Sequence, residues 1–123
     1  MQEQQAAYSP KHRKLVAVIG AHTHMFDIGL NQWSKLPGGR TLQAHDARTV
    51  FVYDSHTDTF LLMQAGRKSG EGALAGMSLT DGKWRSLQPD GPLPYARWSP
   101  GEGFYHPQHN VFVCHFPGKV WVY

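Results

Sequence analysis

The chain holds a single cysteine, Cys114, among its 123 residues, so no intrachain disulfide can staple it. Cys114 ends the apolar run Val111-Phe112-Val113-Cys114 and reads as a small core residue. Helical patterning is lacking as well. The best candidate, Asp27 to Leu36, is interrupted by Gly29 and stopped by Pro37. No apolar run approaches the length of a membrane-crossing helix, and Met1 to Gln5 shows no basic segment leading into an apolar one. Charge is sparse and mixed: the formal net charge is +3, and lysines and arginines are scattered. The one basic run, Lys11-His12-Arg13-Lys14, falls where a turn is expected and reads as a solvated loop rather than a nucleic-acid patch. These absences argue against a disulfide scaffold, a helical bundle, a membrane helix and a nucleic-acid binder.

What is present is 41% hydrophobic residues, enough for a core, with 13 glycines and 8 prolines, which suit an all-β chain with many turns. A spacing occurs twice. Phe26 stands seven positions before Trp33, and Met77 stands seven before Trp84. Apolar strands precede each pair, and tyrosines lead at Tyr8, Tyr53 and Tyr105. Self-similarity at a period of about 50 residues marks a repeat array. The expected units are roughly 7–40, 41–92 and 93–123, behind a disordered tail over 1–6.

In the first unit, Tyr8 to Arg13 reads as a turn and Leu15 to Ile19 as a buried strand, followed by His24 to Ile28 and Gln32 to Leu36. The second unit has four strands: Thr49 to Tyr53, Phe60 to Met63, Leu74 to Leu79 and Lys83 to Leu87. Asp54 to Asp58 and Thr80-Asp81-Gly82 are its turns. The third unit runs through Gly103-Phe104-Tyr105, Val111 to Cys114 and Val120 to Tyr123, with no outer strand after it.

An aromatic, six intervening residues and a tryptophan, preceded by an apolar strand and followed by a Pro-x-x-Arg segment, resemble the kelch repeat. Phe26 to Trp33 looks like its third-to-fourth-strand hairpin, and Pro94-Tyr95-Ala96-Arg97 looks like the link into the next blade. The kelch double glycine survives only as Gly20-Ala21, Ala65-Gly66 and Pro117-Gly118, and Met77 replaces one aromatic. The resemblance covers roughly residues 7–123 and implies four-stranded antiparallel propeller blades, about two to two and a half of them. Propellers need about four to eight blades to close, so a fragment of a longer chain is expected, with uncovered blade faces prone to self-association. The two outer tryptophans are expected in the core.

The resemblance further implies a non-catalytic binding module that meets a protein partner through blade-end loops. The loops 66–72 and 88–101 are the candidates, with Arg67, Lys68, Tyr95, Arg97 and Trp98 as contact residues, types that include interface anchors. Arg97 and Trp98 have an equal alternative role in sealing the blade junction. The competing reading is a propeller enzyme similar to the galactose oxidase family, whose axial copper would draw on His22, His45 and His115. From the residues themselves, no cofactor or metal is expected: His22-x-His24 could chelate from one strand face but lacks a third partner, and His12, His56 and His109 recur in or beside equivalent turns. Asp54, Asp58, Asp27 and Asp81 read as turn-capping residues. Ser55, Ser69 and Ser78 lack the glycines of a nucleophile elbow, and Gly66 to Gly72 lacks phosphate-loop spacing.

Overall fold

The computed structural model describes residues 4–19, 22–37, 49–66, 71–95, 101–116 and 118–123. All regular structure in them is strand. Sheet I contains β1 (Gln4–Ser9), β2 (Lys14–Ile19), β3 (His22–Asp27) and β4 (Gln32–Lys35); sheet II contains β5 (Thr49–Asp54), β6 (Thr59–Gln64), β7 (Ala73–Met77) and β8 (Trp84–Leu87). Sheet III contains β9 (Glu102–His106), β10 (Val111–Phe116) and β11 (Lys119–Val122). Within each sheet, consecutive strands pair antiparallel.

Sheet I therefore has four strands, not three, and the tail expected over 1–6 gives way to β1 from Gln4 onward. Gln5 pairs with Val18, Ala7 with Val16, and Tyr8 with Leu15, inside the strand rather than the turn. The segment Gln-Gln-Ala-Ala has no β-branched residue to announce a strand; its pairing is set by β2, which it flanks.

The registers make the repeat literal. Tyr8, Leu15, Phe26 and Trp33 lie side by side across sheet I, as Tyr53, Phe60, Met77 and Trp84 do across sheet II. Sheet III carries Tyr105 beside Phe112, and Phe112 exchanges backbone hydrogen bonds of 2.8 and 2.9 Å with Tyr123. Residues opposite one another in a ladder share a face, so each row marks one face of its sheet, called here the aromatic face. The other is the aliphatic face: in sheet II it carries Val50, Met63, Leu74 and Leu87.

The sheets stack aromatic face on aliphatic face, forming two cores. Phe51, Phe60, Leu62, Met77 and Trp84 of sheet II pack on Val16 and Val18 of sheet I. Phe112, Cys114, Phe116 and Trp121 of sheet III pack on Val50, Val52, Met63 and Leu74 of sheet II. This explains the unbroken apolar run of β6: Phe60 and Leu62 meet one neighbour, Leu61 and Met63 the other. First strands lie against first strands, β1 on β5 and β5 on β9. At Gly103 of β9 a Cβ would come within 2.5 Å of Val50 Cγ1, so this contact between first strands requires the missing side chain.

The tryptophans diverge. Trp84 is 7% exposed and its indole N–H donates to the buried Thr23 hydroxyl of sheet I at 3.0 Å. Trp33, at the same register position, is 56% exposed. The expectation of two core tryptophans is corrected for Trp33: among the described residues no sheet covers the aromatic face of sheet I.

Candidate functional site

Three equivalent turns, between β1 and β2, β5 and β6, and β9 and β10, form a polar row. In each, the first residue caps the turn. The Ser9 hydroxyl accepts from the His12 N–H at 3.3 Å, Asp54 Oδ1 from the Thr57 N–H at 3.2 Å, and His106 Nδ1 from the His109 N–H at 3.3 Å. Each turn ends in a residue with positive φ, Arg13 at 53°, Asp58 at 54° and Asn110 at 51°. Asp and Asn tolerate that conformation better than other non-glycine residues. The leading tyrosine then closes the turn: the Tyr53 hydroxyl donates to Asp58 Oδ1 at 2.7 Å, and the Tyr105 hydroxyl to Asn110 Oδ1 at 2.5 Å.

Asp54 thus caps, as its place in the sequence suggests, but Asp58 does more. It also binds His12 Nε2, 2.9 Å from both carboxylate oxygens, and Lys11 Nζ at 3.2 Å, both from the preceding sheet's turn. His12 is accordingly half-buried rather than a free solvent-facing histidine. Burial pushes the Asp58 carboxyl up, but hydrogen bonds from Tyr53, His12 and Lys11 outweigh it and hold it below the usual carboxylate range. Burial, followed by the nearby Asp58 carboxylate, raises the Tyr53 phenol, against a lowering contribution from the Ser9 hydroxyl. With three donors on its two oxygens, Asp58 is committed to joining the turns. The arrangement is an inter-sheet clamp.

The opposite end of sheet II brings together the two loops singled out in the sequence. The Gly66 N–H donates to the Pro94 carbonyl at 3.1 Å, and Gly66 forms a parallel bridge with Tyr95. At Gly72 a Cβ would lie 2.7 Å from Leu93 Cβ and 3.0 Å from the Pro94 oxygen, so the loops touch through backbone. Tyr95 sets its ring edge-on to Trp121, with centroids 6.2 Å apart, and leaves much of its surface exposed. Lys119 Nζ lies 5.9 Å from the Tyr95 ring centroid and 5.1 Å from that of Trp121. Trp121 also meets Phe116 edge-on at 5.9 Å. Of the five expected contact residues, Tyr95 stands in this aromatic cluster; Arg67, Lys68, Arg97 and Trp98 lie outside the described residues. Lys119 and Trp121 were not among them, though their spacing of two along β11 puts them on one strand face.

The remaining chemistry-bearing residues are dispersed. His22 and His24 sit with ring centroids 6.4 Å apart, His115 lines a pocket of 170 Å³ on sheet III with Glu102, Gly103, Phe104 and Val113, and His45 lies outside the described residues. Among the described residues no three His, Cys, Asp or Glu side chains converge. Burial pushes the Cys114 thiol up to about 12, which leaves it protonated and poorly reactive at neutral pH. No helix among the described residues is long and apolar enough to cross a membrane.

Neither a family model nor a curated protein matches the chain.

Proposed function

We propose that the chain contributes three consecutive blades of a kelch-like β-propeller and serves as a non-catalytic binding module for a protein partner. The supporting observation is the stacking: antiparallel sheets pack face to face in one sense, with first strands β1, β5 and β9 adjacent, the arrangement expected when sheets radiate from an axis. In this reading the polar turns form one rim and are occupied with joining blades. The opposite rim, where Gly66, Pro94, Tyr95, Lys119 and Trp121 meet, presents a half-exposed tyrosine beside a lysine on a packed aromatic base. Tyrosine anchors flanked by cations recur at protein-binding surfaces, and Arg67, Lys68, Arg97 and Trp98 belong to the same two loops.

The test is selection of displayed random peptides on the folded chain. Peptides that bind should lose affinity on Tyr95→Ala and on Arg67→Ala with Arg97→Ala, at unchanged melting temperature, and should be indifferent to His56→Ala on the other rim. Peptides that respond only to the turn row would refute the assignment of the binding rim.

A further inference from the structure

Both internal interfaces place the aromatic face of one sheet on the aliphatic face of the preceding one, which leaves one face of each kind uncovered among the described residues. On sheet I the aromatic face exposes Tyr8 and Trp33, with Ile28 exposed at its edge. On sheet III the aliphatic face exposes Phe104, Val120 and Val122, and Phe104 lines the 170 Å³ pocket.

We propose that these two faces bind one another between two copies of the chain, head to tail, repeating the sheet I–sheet II interface. The repeat fixes the pairing. Trp33 stands where Trp84 stands, and Val120 stands where Thr23 stands, because Thr23 is three residues before Phe26 and Val120 three before Tyr123, the row partners. Trp33 of one copy therefore covers Val120 of the other, as Trp84 covers Thr23.

Two of the residues that depart from the internal pattern, Lys35 and Glu102, are opposite in charge. On the aromatic face of sheet I, His24 and Lys35 occupy the positions of Ala75 and Ser86. On the aliphatic face of sheet III, Glu102 and, opposite it, His115 occupy the positions of Val50 and Met63. Lys35 and Glu102 are exposed; a cation-bearing face meets a carboxylate-bearing one, which favours the head-to-tail pairing over either face against itself. The pairing is heterologous, and the sheets formed by the described residues of two copies number six, within the range at which propellers close. Ring closure rests on the propeller reading; the face pairing rests on the observed stacking alone.

The full chain should sediment as a dimer, with a concentration-dependent monomer. Trp33→Glu and Val120→Glu, both at exposed positions, should each weaken association on the order of 30-fold or more. Mixed together, the two variants should recover association, because the intact sheet I of one meets the intact sheet III of the other. Val120→Thr should tighten association, since it supplies the acceptor that Thr23 gives Trp84. Hydrogen exchange of the unaltered chain gives a readout free of folding effects: protection should rise with concentration in 22–35 and 102–122 and stay constant in 59–77. A chain that stays monomeric, or variants that fail to complement in the mixture, would overturn the proposal. A dimer abolished by Trp33→Glu but untouched by Val120→Glu would overturn it too, by showing sheet I against itself. An open polymer in place of a dimer, with complementation intact, would uphold the face pairing and count against closure.

Discussion

Trp84 and Trp33 occupy the same register position in sheets II and I, each beside the third-strand residue seven positions earlier. One is buried and bonded to Thr23; the other touches Phe26 at a centroid distance of 5.1 Å and otherwise faces outward. Local sequence places an outer-strand indole on the aromatic face in both sheets. Whether that indole is core depends on what stands opposite. The same contrast separates β6, apolar on both faces because two sheets cover it, from β4, whose four residues are all exposed.

Truncation separates the two tryptophans most directly. Trp84→Ala should cost about 3–5 kcal/mol, the loss of a buried indole plus the cavity it leaves. Trp33→Ala should change stability by no more than about 0.5 kcal/mol at concentrations where the chain is monomeric. Denaturant melts of the two variants side by side measure the difference, and equal losses would contradict the assigned burial.

A finer cut separates packing from the hydrogen bond. Trp84→Phe keeps an aromatic ring but leaves the Thr23 hydroxyl, 1% exposed, without its donor; the expected cost is about 1–3 kcal/mol. Adding Thr23→Val should recover part of it, and a double-mutant cycle with no coupling would show that the bond contributes nothing. The corresponding change at Trp33 should have no partner to couple with.

The turns extend the contrast from faces to edges. Asp58→Asn weakens the links to Lys11 and His12 across the first interface, and a loss of about 1 kcal/mol is expected, at the upper end for a partly exposed ion pair. Because the Asp58 carboxyl is held below its ordinary value in the folded state, its stabilising contribution is present above the unfolded pKa near 4 and is lost as pH falls through the folded one. The acid limb of thermal unfolding should therefore flatten in Asp58→Asn. A limb of unchanged steepness would exclude Asp58 as its source.

The smallest effect is expected at Asp81. Its exposed carboxylate, paired with Arg85 four residues on and accepting from the Lys83 N–H at 3.0 Å, is pulled down to about 2 by that guanidinium first and the backbone donor second. Depressed carboxylates stabilise above the unfolded pKa, so any contribution disappears between about 4 and about 2. At neutral pH Asp81→Ala should leave the melting temperature nearly unchanged, since both groups are solvated and the turn is set by Gly82 at φ 67°. A clear drop would mean that the pair, not the glycine, fixes the β7–β8 hairpin.

Much of the architecture was legible because it is local. Alternating apolar strands, Asp and Asn at turn ends, and the seven-residue offset between Phe26 and Trp33 are properties of short segments, and they appear in the structure as hairpins with those registers. The first strand was not legible: Gln4 to Ala7 carries no β signal and is strand because β2 offers a ladder. The loop cluster around Tyr95 was legible in part. The place of Tyr95 between strands follows from turn-rich composition, whereas the bridge of its loop to Gly66 and the approach of Lys119 come from the fold, with no signal beyond the alternate spacing of Lys119 and Trp121. The Asp58 clamp was half visible. Its turn position is written in the sequence, but its partners Lys11 and His12 lie 47 and 46 positions away.

By itself the sequence determined an all-β chain, its hairpins, its repeat and the residues that line each strand face, because backbone pairing and face alternation depend on neighbours within a few residues. Only the tertiary structure decided which faces meet. It buried Trp84 against Thr23 and left Trp33 exposed, joined Asp58 to the preceding turn, and set β1, β5 and β9 side by side, because burial is a property of the opposing surface, and that surface comes from residues far away in the chain.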